Sequence, residues 1–378
     1  MYRFSSIQQT LVYMKWGGGI LSILGMTIFL KGHFEGENNI FHPTFVHNRL
    51  SILSGYDYPN PVISFAAVGD LMLGGPALSV IREKGSDYPF DSTRSVLQQA
   101  DFAFANLEAP FTLTGDIFKK TFTFRVPPEY AGGVLRTGFD LLTLANNHIL
   151  DYGPEGLFST LKVLDSLHIA HCGADSNLDK AEGGIILNKQ GWRIGFLAYS
   201  LTYPSEFWAT SERSGTAYPH IRRLQQTIET MKSQTDLVVV SFHWGGELMT
   251  TPKPYQRSYA HQAIDWGADL VIGHHPHVLE GLELYKGRLI AYSLGNYAFG
   301  SYSYSAKVSI ILKLYFDSKG PLLAEVIPIS VFNNDVQFQP RLLKGDKRDQ
   351  VIHMLNEIST DLNNGEEIVG SSGLVMIK

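Results

Sequence analysis

Six short apolar runs of the sequence end in residues able to do chemistry. The first closes on Gly69-Asp70, the second on Asn106-Leu107-Glu108, and the third on Asn146-Asn147-His148 with Asp151 three residues on. Later runs close on His243-Trp244-Gly245, on Gly273-His274-His275-Pro276-His277 and on Ser293-Leu294-Gly295-Asn296. Five of the thirteen histidines stand at these places, beside carboxylates and amides. Imidazole is the commonest neutral metal ligand, and three imidazoles within four residues would repel one another if protonated. Each piece alone has a plainer reading. Gly-Asp after a strand makes a turn or a helix cap, Asn147 and Asp151 suit a cap, and Glu108 suits a solvated loop. A lone His148 or His243 is readily a hydrogen-bonded structural residue. Together these residues point to a metal site.

The donor types narrow the choice of metal. Cys172 is the only cysteine, which excludes an internal disulfide and any Cys-rich zinc or iron–sulfur site. Imidazole with carboxylate and amide oxygen suits Mn²⁺, Zn²⁺ or Fe. Two such divalent ions about 3.5–4 Å apart would clamp a phosphoryl group and supply a hydroxide nucleophile. One ion flanked by substrate-binding histidines uses the same residues equally well. A Ser-His-Asp hydrolase built on Ser293 lacks the Gly-x-Ser-x-Gly elbow and leaves the histidine cluster without a role.

The elements that must position these groups read as an α/β pattern. Strand-length runs lie at Val62–Val68, Phe102–Ala105, Leu141–Ala145, Ile185–Leu187, Ile194–Tyr199, Leu237–Phe242, Leu270–Ile272 and Leu289–Tyr292. Between them Leu157, Leu161, Leu164 and Leu167 keep helical spacing, as do Ile221, Leu224, Ile228 and Met231. Strands alternating with helices imply a parallel or mixed sheet covered by helices. In open α/β sheets ligands bind outside the carboxyl ends of the strands, which is where the polar residues fall. Near the end Val308–Tyr315 and Leu322–Ile329 flank Asp317-Ser318-Lys319-Gly320, a hairpin signature. A last helix should include Val351, Met354, Leu355 and Ile358.

Composition excludes two broad classes. With 44% apolar, 12% aromatic and 18% charged residues the chain is not a disordered one. A net charge of −5 without a Lys/Arg stripe excludes a nucleic-acid binder held by phosphate neutralisation. At the start, Trp16–Leu30 carries no charge, and counting back to Ile7 gives 24 residues with only Lys15 charged. That is long enough for a membrane span, with Lys15 snorkelling. The expectation is an uncleaved signal anchor over residues 1–31, with a cleaved signal or a core helix as alternatives. Arg3 and Lys15 favour a cytoplasmic N-terminus and an extracytoplasmic globular part, although Lys31 lies just beyond the run. Residues 32–61 read as a linker, 62–340 as the folded domain and 341–378 as a C-terminal helix and tail. Trp208 and Trp266 suit ordinary packing, whereas Trp244, next to a candidate ligand, should shape the pocket.

Six segments carry a resemblance to the capsule-synthesis CapA family, which includes the PgsA component of poly-γ-glutamate synthesis. They are AVGDLMLGG (67–75), ANLEAPFT (105–112), LANNHILDYG (144–153), SFHWGGEL (241–248), VIGHHPHVLEG (271–281) and YSLGNYAFG (292–300). They occur in family order, and the resemblance covers the chain from about Val62 to the mid-300s. The resemblance implies a fold similar to the calcineurin-like metallophosphoesterases, a four-layer αββα sandwich, here preceded by a transmembrane helix. It also implies Asp70, Glu108, Asn147, His243, His275 and His277 around the metal. His148, paired with Asp151, would be the acid or substrate-orienting residue. His274 would ligate or hold substrate, and Ser293 and Asn296 would order loops or touch substrate. Met72 stands where the first phosphoesterase motif, Asp-x-His, has its histidine, and Asn-Leu-Glu replaces the Gly-Asp of the second; both departures are shared by the CapA family. The implied partners are a capsule polymer or phosphorylated intermediate, the membrane, and other membrane components of a capsule complex. A plain metal-dependent phosphoesterase and a non-catalytic, metal-ordered scaffold are the competing expectations.

Overall fold

Strand β1 (Ile63–Met72) has only Ser64 and Asp70 as polar side chains, and every residue in it is buried. A strand covered on both faces must be apolar at successive positions. Its side chains alternate between two cores, with Ile63, Phe65 and Ala67 in one and Ala66 and Val68 in the other. The computed structural model describes residues 62–377. The anchor expected over 1–31 and the linker over 32–61 lie outside the described residues. Among the described residues no helix is long and apolar enough to cross a membrane.

From β1 the chain continues through β2 (Phe102–Leu107), β3 (Leu141–Thr143), β4 (Ala170–Cys172), the short β5 (Ala174–Asp175), β6 (Ile185–Lys189) and β7 (Trp192–Ser200). The short β8 (Gly215–Thr216) pairs with β5 and precedes β9 (Leu237–His243), β10 (Leu270–His274), β11 (Leu279–Tyr285) and β12 (Arg288–Leu294). The last strands are β13 (Asn296–Phe299), β14 (Val308–Asp317), β15 (Gly320–Ser330), β16 (Arg341–Leu342) and β17 (Leu374–Met376). One mixed sheet runs β16-β15-β14-β1-β2-β3-β4, with β13 alongside β1 and β17 alongside β15. The second runs β11-β12-β10-β9-β7-β6.

Burial sorts these elements into helix, sheet, sheet and helix layers. Phe65, Phe104 and Leu312 of the first sheet meet Phe196, Val239, Ile272 and Ala291 of the second. Outside the first sheet, Ala105 and Leu142 pack with Leu157 and Leu164 of the helix Gly153–Ser166. Outside the second, Val238, Val240, Val271 and Tyr292 pack with Leu224 and Ile228 of the helix Ile221–Gln234, and with Ala260 and Ala263 of the helix Pro254–Asp265. The expected α/β class is therefore the observed one, a mixed α/β fold.

The expected hairpin joins β14 to β15, where Asp317 pairs with Gly320 and its Oδ1 accepts from Lys319 N at 2.8 Å. The expected last helix is Asp346–Ser359, which contains Val351, Met354, Leu355 and Ile358. Residues 341–377 are built into the first sheet and the inter-sheet core. β16 and β17 both pair with β15, and Val351, Ile352 and Leu355 of the helix Asp346–Ser359 are buried in that core. The physical reason is that β15 offers an edge that these two short strands cover.

Candidate metal centre

Parallel pairing brings the chemistry together. On the first sheet β1 and β2 align Asp70 with Asn106, and β13 sets Asn296 opposite Asp70. On the second, β9 and β10 align His243 with His274. The β1–β2 register shifts between Ala67 and Asp70, which re-aims the carboxylate. Gly69 is required there, because a Cβ would lie 1.8 Å from the Gly295 carbonyl oxygen. Asn106 then joins the two sheets. Its Nδ2 lies 2.9 Å from Asp70 Oδ1 and 3.3 Å from His243 Nδ1, and its Oδ1 accepts from Asn146 Nδ2 at 3.1 Å.

Asp70 and Glu108 are both fully buried, yet their pKa values are pushed in opposite directions. Burial would raise the Asp70 carboxyl, but His274 and His277 beside it hold it well below the usual range. His274 Nδ1 and His277 Nδ1 each lie 3.2 Å from an Asp70 oxygen, and the His275 backbone N–H donates to Oδ2 at 3.1 Å. Glu108 is pushed well above the usual range by burial and by the Asp70 charge. Burial likewise pushes His243 well down, and His275 down to about 3, each reinforced by a neighbouring imidazole. His275 and His277 hold φ values of +96° and +61°. Such left-handed backbone costs non-glycine residues of order 1–3 kcal/mol each, and it concentrates at functional sites.

The residues fit a divalent cation. Glu108, His275 and His277 form one set of donors and Asp70, Glu108 and His243 another, the donor atoms in each set lying within 4.8 Å of one another. Glu108 is common to both. Both of its carboxylate oxygens, His275 Nδ1 and His274 Nε2 are buried without a hydrogen-bond partner. Buried polar atoms left this way are costly unless something else satisfies them. Glu108 Oε1 lies 3.4 Å from His243 Nε2 and 3.9 Å from His277 Nε2, and Asn147 Oδ1 lies 2.8 Å from His243 Nε2. A bound divalent ion would supply Lewis acidity and an activated water at this point.

His148 and Asp151 meet as expected, with His148 Nδ1 at 2.8 Å from Asp151 Oδ2. Asp151 is fully buried and also accepts from Phe124 N at 2.7 Å. The structure adds a residue that the sequence reading missed. Lys120 Nζ pairs with Asp151 Oδ1 at 2.6 Å, lies 3.1 Å from His148 Nδ1 and donates to the Asn147 carbonyl. Burial lowers the Lys120 and His148 pKa values, and the Asp151 carboxylate opposes both shifts. A Nδ1–H donated to Asp151 leaves His148 Nε2 as the ring's acceptor. No local signal marked Lys120, whose segment has neither apolar period nor motif.

The other sequence candidates divide. Asn296 Oδ1 lies 3.0 Å from His277 Nδ1 and so orients that imidazole. Ser293 is fully buried, its hydroxyl donating to the Val278 carbonyl at 2.7 Å and accepting from Gly295 N at 3.1 Å. Its observed contacts are those of turn ordering. Trp244 corrects an expectation. It is fully buried in the outer core, stacked on Phe242 at 4.5 Å and donating from Nε1 to the Tyr292 carbonyl at 2.9 Å. The pocket wall is made by Trp208 instead. A cavity of about 630 Å³ opens beside Asn147 and His275, lined by Leu201, Thr202, Tyr203, Trp208, Tyr218, Gly245, Glu247, Lys253, Tyr255 and Tyr259.

The structure is thus a mixed α/β chain with a buried carboxylate–imidazole cluster, a candidate metal site, at its strand ends. Comparison with known proteins gives the family. The chain belongs to the bacterial capsule synthesis protein PGA_cap family, whose model matches residues 64–301. It is 30% identical over 280 residues to the capsule biosynthesis protein CapA of Bacillus anthracis, covering 72% of this chain and 68% of that one. It is also 30% identical over 309 residues to the PGA biosynthesis protein CapA of Bacillus subtilis, covering 81% and 80%. Among solved structures, the NAD nucleotidase of Haemophilus influenzae aligns at a TM-score of 0.43 and 13% identity, over 78% of this chain and 56% of that one.

Proposed function

We propose that this chain supports synthesis or export of an anionic capsule polymer of the poly-γ-glutamate kind, from an anchored position on the outer side of the cell membrane. Membership of the capsule family and the names of its two CapA relatives support the polymer role. The observation that carries a working site is Glu108, a buried carboxyl with both oxygens unpartnered between two sets of candidate ligands. Asp70, Glu108, Asn147, His243, His275 and His277 would hold one or two ions of Mn, Zn or Fe. The polymer or a phosphorylated intermediate would sit in the adjoining cavity, with His274 on the ligand or substrate side. Residues 1–31 would form the single-pass anchor, and other membrane components of a capsule complex would meet the chain there. Surface polymer measured in a deletion strain tests the reading. Loss of polymer, restored by the wild-type gene but not by Asp70→Ala, is expected; an unchanged capsule in the deletion strain sinks it.

His148, Asp151 and Lys120 favour a second reading, a metal-dependent phosphoesterase acting on a small extracytoplasmic substrate. A histidine oriented by a buried carboxylate beside a metal site is suited to take a proton at Nε2 and pass it to a leaving oxygen. Phosphate release from phosphomonoesters, abolished by His148→Ala with metal content unchanged, would select this reading over the first.

A further inference from the structure

The cavity beside the centre carries two charges, on the exposed Glu247 and the half-buried Lys253. Glu247 and Lys253 both line it, on the segment that follows β9. Among the described residues neither charge has an ion-pair partner, whereas nearby Lys120 is committed to Asp151. Lys253 is half-buried and opens the helix Pro254–Asp265, its backbone N–H donating to Gln256 Oε1 at 2.8 Å. Gln256 is held in turn by Glu280 at 2.8 Å. The Lys253 ammonium lies over Gly246, 3.2 Å from where a Cβ would stand. Leu248 N donates to the Pro276 carbonyl at 2.8 Å, which ties the Glu247 segment to the loop bearing His275 and His277.

Aromatic rings line the same cavity. Tyr203, Trp208 and Tyr218 form an aromatic series, with ring centroids 5.5 Å and 4.2 Å apart. Tyr203 is 76% exposed, and the Trp208 indole is fixed by its 3.0 Å bond to the Thr202 carbonyl. Asn147 and His275 also line the cavity, and His275 belongs to the donor set that includes Glu108.

We propose that this cavity binds an α-amino-acid head group, the ammonium on Glu247 and the carboxylate on Lys253. The carbon chain lies along the Tyr203–Trp208–Tyr218 wall, and the next functional group points toward Asn147 and His275. Charge balance selects this ligand. An inorganic phosphate would satisfy Lys253 but leave Glu247 opposing it, and a carboxylate without a free amine beside it would do the same. A zwitterion answers both charges at once. This inference rests on the capsule reading, in which the ligand is the amino-terminal residue of a γ-linked glutamate chain. That residue alone in the chain keeps both its α-ammonium and its α-carboxylate free.

Calorimetry on the full metal-loaded chain tests the head group with γ-linked glutamate tetramer, its N-acetylated form and inorganic phosphate as probes. Wild type should prefer the free-amine tetramer over the acetylated one by at least roughly tenfold, the size of a charge-assisted hydrogen bond. Glu247→Gln should abolish that preference. Lys253→Gln should weaken both tetramers by about tenfold, with Lys253→Arg restoring most of the loss. Metal content should be unchanged in every variant. Equal binding of the two tetramers, no tetramer binding at all, or phosphate binding that needs Lys253 but not Glu247 would each overturn the proposal. The capsule reading fails separately, through an unchanged capsule in the deletion strain. If Glu247→Gln and Lys253→Gln both restore capsule fully where Asp70→Ala does not, the head-group site falls and the capsule reading stands.

Discussion

Glu108 and Glu280 are both buried carboxyls raised above their usual range by desolvation, and they separate function from stability. Glu108 has no protein donor, so it belongs with the ion site. Replacing its neighbours Asp70 or His243 by alanine should remove bound metal from the purified chain, read by elemental analysis against wild type. Retention of a full complement in both variants would overturn the ligand assignments. Glu280 instead accepts from Gln256 at 2.8 Å, beneath the helix Pro254–Asp265. Burial pushes its pKa from 4.5 up to about 8. Between those values the folded state holds a proton that the unfolded state has released, so stability falls as pH rises from 4.5 towards 8. Glu280→Gln keeps an acceptor for Gln256 and removes the ionisation. Its Tm should exceed that of wild type by several degrees at pH 8 and approach it at pH 5. A difference independent of pH would contradict the assignment.

At the scale of elements, the centre depends on strands meeting with no room for a side chain. Gly69 lies against the Gly295 carbonyl where β1 meets β13, and Asp70 N donates to that same oxygen at 2.9 Å. Gly69→Ala should therefore cost about 3 kcal/mol or more, as overpacking against backbone does. It should also lower metal content, because Asp70 moves with the strand; chemical denaturation and elemental analysis on the same sample check both. The strands found in the sequence were the continuous apolar runs, such as Leu237–Phe242 and Leu270–Ile272, which the structure extends to Leu237–His243 and Leu270–His274. Strand β11 was not found, because Glu280, Gly281 and Glu283 interrupt its apolar pattern. Gly281 is there for close packing, since a Cβ would stand 2.5 Å from the Ile358 carbonyl. The helix Pro254–Asp265 escaped for a related reason, as its buried face is mostly alanine and glutamine.

For the described molecule as a whole, the C-terminal segment closes the space between the sheets. Leu355 is fully buried in the inter-sheet core, so Leu355→Ala should cost about 2–5 kcal/mol. Truncation after residue 340 should abolish cooperative unfolding altogether, read by thermal denaturation; a truncated chain that still melted cooperatively would make the segment dispensable. The sequence by itself determined the α/β class, the six polar strand ends and the donor types, because burial on two faces forces continuous apolar strands and chemistry gathers at their carboxyl ends. The roles of Asn106, Lys120 and Trp208 were decided only in three dimensions. Asn106 bridges β2 to His243 of the other sheet, Lys120 reaches Asp151 from 31 positions away along the chain, and Trp208 takes the wall position expected of Trp244. Local sequence records which face of an element is apolar. It does not record which side chain from a distant loop will fill the space that two packed sheets leave between their ends.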